Sequence, residues 1–150
     1  MATPQRLRST RYQRPDAHIK HVTTDQGHYR RQAQLDGADE ALLTGDDGVV
    51  AETTMANIGF FDGAGVVWPV APMLRGITMQ LLERTLPDRG VPMRRTAVRV
   101  RDISSFEGAF LTNARGLATV SSVDDVRPPV RADRMKALTD AYASMPWDPI

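Results

Sequence analysis

Two neighbouring stretches of this chain each set apolar runs on either side of a turn made of glycine, aspartate and alanine. "EALLTGDDGVVAE" covers residues 40 to 52, and "ANIGFFDGAGVVWPV" covers 56 to 70. Glycine tolerates the positive φ that tight hairpin turns need, and Val, Phe and Ile on both flanks suit a pleated, half-buried surface. Each stretch is therefore a hairpin signal, and two in succession predict an antiparallel sheet. Helical patterns elsewhere make the expected class α+β.

The chain has 150 residues, enough for one domain with a real core. Its net charge of +1 signals neither a nucleic-acid footprint nor an acidic tail. The absence of cysteine excludes a disulfide framework, a zinc-thiolate site and a cysteine nucleophile. No apolar run reaches the roughly 20 residues that span a bilayer, and the basic start lacks the apolar segment of a secretory signal. The expected location is cytoplasmic, with no membrane and no nucleic-acid partner.

Residues 1 to 16, polar and basic with Pro4 and Pro15, read as an extended arm outside the core, leaving 17 to 150 as the domain. "HIKHV" is short and β-prone. "QGHYRRQAQLDG" reads as a helix with Tyr29, Ala33 and Leu35 inward and Gly37 as its stop. A second helix is expected from about Ile77 to Leu86, with Ile77, Leu81 and Thr85 on one face and Leu82 beside them. Pro87 and Gly90 close it. "PMRRTAVRV" alternates as a strand with Arg95, Arg99 and Arg101 on one solvated face. "AFLTNA" and "LATVSSV" give two more strands, and a last helix runs from about Arg131 to Ala143 with Met135, Leu138 and Tyr142 inward.

Few residues outside the expected core carry obvious chemistry. Glu52 and Asn57 sit inside "AETTMANIGFF", where burying a carboxylate costs several kcal/mol unless a partner meets it. Lys20 lies between Ile19 and Val22. Its context fits either an edge-strand lysine that blunts aggregation or a desolvated amine able to form a Schiff base. His18 and His21 fall on opposite faces of a strand, and no carboxylate cluster completes a metal site with them or with His28. "LRGIT" puts Gly76 at a helix opening, where the N–H groups of Ile77 and Thr78 and the Thr78 hydroxyl suit a phosphate. "LTNARG" ends a strand at Asn113 and Ala114, a second turn whose amides could meet an anion.

Taken in order, these segments resemble the class IV aminotransferases, the branched-chain and D-amino-acid type, a family that also includes 4-amino-4-deoxychorismate lyase. The pattern is a glutamate, a small residue two positions on, an asparagine five on, an apolar pair, and then a Gly-Ile-Thr helix start. Glu52, Thr54, Asn57, Ile58 and Gly76-Ile77-Thr78 match it, and Lys20 precedes Glu52 by the separation the family shows for its Schiff-base lysine. The resemblance implies a mostly antiparallel sheet or pseudo-barrel with flanking helices, holding pyridoxal 5'-phosphate. Lys20 would be the Schiff-base lysine and the base that moves the Cα proton. Glu52 would keep the pyridine nitrogen protonated, and Asn57 would be among the cofactor-binding residues. Gly76, Ile77 and Thr78 on one side and Asn113 and Ala114 on the other would hold the phosphate. The implied reaction moves an amino group between an amino acid and a 2-oxo acid.

The departures from the family are also specific. Its chains are nearly twice as long, and their first half is a small domain that gives an arginine to the phosphate. The expectation is thus a fragment or a halved protein, working as a homodimer or with a partner chain that supplies the missing half. Arg75 stands where the family usually has proline, and Ala114 where it often has a hydroxyl. Asp25 falls near the place of the family's cofactor-side tyrosine, which Tyr29 replaces poorly by spacing. Two alternatives follow: lyase chemistry on an aminodeoxychorismate-like substrate, and a non-catalytic domain that binds a partner.

Overall fold

A computed structural model describes residues 3 to 12 and 24 to 144. Lys20, His18 and His21 lie outside the described residues. Within the described residues eight strands and three α-helices follow in the order β1 (Gln5–Arg11), α1 (Thr24–Leu35), β2 (Glu40–Thr44), β3 (Val50–Thr53), β4 (Asn57–Phe61), β5 (Val66–Pro69), α2 (Ile77–Thr85), β6 (Met93–Thr96), β7 (Gly108–Asn113), β8 (Gly116–Val123) and α3 (Ala132–Ala143).

Both expected hairpins form. β2 pairs antiparallel with β3 across a turn in which Gly48 has φ 79°, and β4 pairs antiparallel with β5. In the second turn the Asp62 carboxylate accepts the N–H groups of Ala64 and Gly65, which supplies the turn's missing acceptor. The sheet then curls on itself. The pairings β1–β2, β2–β3, β3–β4, β4–β7, β7–β8 and β8–β1 close a ring of six strands, and β5 and β6 extend from the free part of β4. This is the α+β pseudo-barrel with flanking helices that the resemblance implied.

Period-two alternation assigns the faces. Leu7, Leu42, Val50, Ile58, Phe60, Ala109, Leu111 and Val120 come from all six ring strands and meet in one cluster, so they fill the barrel. Their neighbours in sequence point outward. Phe61, Trp68 and Phe110 pack beneath α2 and α3 against Leu82, Met135 and Leu138. Ala41 and Leu43 pack against Ala33 of α1. Gly37, at φ 89°, ends that helix, and the Ala38 N–H donates back to the Ala33 carbonyl.

The structure corrects four expectations. Residues 5 to 11 belong to the sheet: β1 lies parallel between β2 and β8, with Leu7 buried, so the arm reading of residues 1 to 16 fails there. Leu35 is 75% exposed, because it falls past the stripe of α1 that meets the sheet. α2 buries Thr78, Met79 and Leu82, a stripe turned by about one residue from the expected one, and Ile77 is 75% exposed at the helix start. Strand β6 stops at Thr96, and residues from Val100 form a 3-10 turn. Arg95, Arg99 and Arg101 therefore share no strand face.

Candidate functional site

The barrel closes at a single residue pair, Glu52 of β3 opposite Asn57 of β4. Both are buried and polar, at a joint where hydrophobic side chains would have closed the ring more simply. The polar groups face the segment that leads into α2. Leu74 donates its N–H to Glu52 Oε2 at 3.3 Å. Asn57 spans the same segment: its Nδ2 donates to the Leu74 carbonyl at 2.7 Å, and its Oδ1 accepts the Gly76 N–H at 2.9 Å. Bridging a carbonyl and an N–H two residues apart takes a side chain with both a donor and an acceptor.

That bridge fixes the start of α2. Gly76 is the N-cap, in extended conformation, with no side-chain cap and no acidic residue in the first turn. A Cβ at Gly76 would lie 2.8 Å from Asn57 Oδ1, so the close approach depends on glycine. The first N–H groups of a helix have no partner within it, and the dipole there favours negative charge. The Thr78 hydroxyl donates to the Asn113 carbonyl at 2.8 Å and ties this helix end to the β7–β8 turn. Asn113 Nδ2 reaches the Met55 carbonyl at 3.3 Å, and its Oδ1 accepts the Arg115 N–H. Ala114 sits exposed on the same turn.

Glu52, Asn57, Gly76, Ile77, Thr78, Asn113 and Ala114 are thus brought to one end of the barrel. Two further contacts bear on this end. The Thr78 hydroxyl is engaged with Asn113, which leaves the backbone N–H groups of Ile77 and Thr78 as the donors toward an anion. Arg75 runs along α2 to Glu83, at 2.7 Å, where Arg95 also binds. Burial, together with the charge of Arg75, pushes the Arg95 guanidinium below its usual value.

A cavity of about 470 Å³ opens beside Glu52, with Tyr12, Leu43, Ala51, Val70 and Pro72 among its walls. The Tyr12 ring packs tilted against Tyr29 of α1, with ring centroids 4.5 Å apart. Sequence reasoning missed Tyr12, which it placed in the arm, and Leu74, which acts only through its backbone. It also missed Glu40, a carboxylate buried at the start of β2 that accepts the Thr54 hydroxyl. A charged residue opening an otherwise apolar strand was the available signal. Among the described residues no group of His, Cys, Asp and Glu could hold a metal ion, and no helix is long and apolar enough to cross a membrane.

An acid at one end of this arrangement and an open helix N-terminus at the other suit a ligand with a protonated nitrogen and an anionic group. Known proteins share parts of this sequence and its fold. The chain is 31% identical over 97 residues to a probable branched-chain-amino-acid aminotransferase of Rickettsia felis, across 63% of this chain and 33% of the relative. A solved putative 4-amino-4-deoxychorismate lyase of Legionella pneumophila superposes with a TM-score of 0.84 at 27% identity, covering 92% of this chain and 55% of that one. An aminotransferase of Brucella abortus bound to the co-factor PLP shares the fold, with a TM-score of 0.81 at 24% identity over 95% of this chain and 55% of its own. The chain spans about a third of the length of the named relative and about half of the solved chains. The model of the family described as amino-transferase class IV matches residues 2 to 123, and it is to this family that the chain belongs.

Proposed function

We propose that this chain is the cofactor-holding part of a pyridoxal-phosphate-dependent enzyme that moves an amino group between an amino acid and a 2-oxo acid. The observation that carries the reading is the connection of a buried carboxylate, Glu52, to an uncapped helix N-terminus through Asn57. The residues present fit the cofactor: an acid for a pyridine nitrogen, and backbone N–H groups without a competing acid for a phosphate. When bound, pyridoxal phosphate supplies an electron sink for the bond-breaking step at the substrate Cα.

The chain's own residues do the rest. Glu52, held by the Leu74 N–H, keeps a proton on the ring nitrogen. The amides of Ile77 and Thr78 bind the phosphate, and the Asn57 bridge keeps them aimed. Lys20 is the amine that holds the cofactor and then moves the Cα proton, an assignment that rests on its place in the sequence. Met55, Val70 and Ile77 are exposed near this end, which supports a covering surface from a second half, on a longer form of the polypeptide or a partner chain, and a homodimer as the working assembly.

A second reading, lyase chemistry on an aminodeoxychorismate-like substrate, is favoured by the 27% identity to the Legionella protein, and needs the same core. Glu52→Gln tests what the two readings share. The variant is expected to bind pyridoxal phosphate more weakly and to lose turnover of any accepted amino donor by about 100-fold, the scale of removing one acid–base partner. Unchanged turnover and affinity would overturn the role of Glu52. Product analysis with an amino acid plus a 2-oxo acid, against an aminodeoxychorismate-like compound alone, separates transfer from lysis.

A further inference from the structure

Glu40 is buried, and its carboxylate lies away from the contacts described for the site. One oxygen, Oε1, accepts the Thr54 hydroxyl and the Ala41 N–H, the latter at 2.9 Å. The other, Oε2, pairs with Arg30 Nε on α1 at 3.3 Å. Gln26, one turn earlier on α1, donates to the Thr54 carbonyl at 3.3 Å. Thr54 is therefore held from both its hydroxyl and its backbone, and it opens the loop between β3 and β4. The next residue of that loop, Met55, gives its carbonyl to Asn113 Nδ2, and the Asn113 carbonyl takes the Thr78 hydroxyl. These contacts form one run from α1 through Glu40 and the loop to the first turn of α2.

We infer that Glu40 is a positioning residue for the anion-binding end of the site, acting through Thr54 and the Met55–Asn113–Thr78 contacts. The inference rests on the pyridoxal phosphate reading above and extends it to a residue outside the direct contacts. A buried carboxylate with an arginine on one oxygen and a hydroxyl on the other has little freedom to reorient, so it fixes the loop. Loss of this hold lets the loop shift, and the turn that meets Thr78 shifts with it. The ring-nitrogen end, where the Leu74 N–H holds Glu52, is left in place.

The distinguishing measurement is the ratio of affinities for pyridoxal phosphate and for pyridoxal, which lacks the phosphate. Wild type is expected to prefer the phosphorylated compound. Glu40→Gln and Thr54→Val are each expected to lower that preference by about tenfold, mostly by weakening pyridoxal phosphate, and the double variant should lose no more than the worse single one. Should Glu40→Gln fail to fold, Thr54→Val carries the test alone. Variants that melt earlier but keep the wild-type preference would overturn the inference and leave Glu40 a purely structural residue. Equal weakening of both compounds would overturn it too. Wild type that binds neither compound would overturn the cofactor reading and this inference with it.

Discussion

Replacing Asn57 with Asp changes one NH₂ group into an oxygen at the joint that closes the barrel. The bond to Gly76 survives, because a carboxylate oxygen still accepts its N–H. The 2.7 Å bond to the Leu74 carbonyl becomes a contact between two acceptors, which costs about 1–3 kcal/mol in a buried setting. Glu52 lies directly across the strand pair. Cβ atoms so paired are about 5 Å apart, and two like charges at that separation repel by about 3 kcal/mol at an effective dielectric of about 20. The nearby helix N-terminus returns about 0.3–1 kcal/mol.

Protonating the carboxyl that Asn57→Asp introduces relieves both penalties, since a neutral acid can donate to the Leu74 carbonyl. The folded state therefore raises the pKa of that carboxyl above the ordinary value of about 3.9. A raised carboxyl contributes its stability below the unfolded pKa and loses it as pH rises through the folded pKa. The deficit against wild type should thus be small near pH 4 and reach about 3–6 kcal/mol by pH 8, a fall in Tm of roughly 6–24 °C for a domain of this size. Urea unfolding of wild type, Asn57→Asp and Asn57→Ala at both pH values measures it. The alanine variant should lose about 2–3 kcal/mol at either pH, having no group to titrate. A deficit for Asn57→Asp below about 0.5 kcal/mol, or one equal at the two pH values, would refute the reasoning.

Three further outcomes follow from the geometry. Asp62 is held below the usual carboxylate range by the Gly65 N–H first, then by the Ala64 N–H and Arg94. Because its pKa is depressed, Asp62→Ala should cost about 1–2 kcal/mol at neutral pH, and the gap should close as pH falls below about 4 in a pH series of melts. Gly65→Ala would place a Cβ 1.9 Å from the Pro92 carbonyl oxygen, which accepts the Val66 N–H, so β5 and β6 must separate. Denaturant unfolding should show a loss of about 3 kcal/mol or more. Leu82→Ala, in the cluster that packs α2 and α3 against the sheet, should cost about 2–5 kcal/mol by the same assay.

The hairpins were legible in the sequence because turn and flanking strands lie within a few residues of one another. β1 was not. Its partners are β2 and β8, the latter more than 100 residues away, and its outward arginines hide the single buried Leu7. Arg6 is answered only in the fold, by Asp39, whose carboxyl it holds below the usual range. At the site, Glu52 and Asn57 could be picked out as polar residues in an apolar strand, and Gly76 to Thr78 as a helix opening. Their partners could not, because the Leu74 backbone and the Asn113 carbonyl have no sequence signature. Arg75 shows the same limit: its charge is visible in the sequence, while its direction is set by Glu83, eight residues on and already shared with Arg95.

Borohydride reduction of the protein after incubation with pyridoxal phosphate, followed by peptide mapping, tests the central claim most directly. The chain has two lysines, Lys20 and Lys136, so the competing amines are few. The account predicts one adduct, on Lys20, weakened by Glu52→Gln and abolished by Lys20→Ala. Label on Lys136 and the amino terminus in proportion to their exposure, with none specific to Lys20, would contradict it.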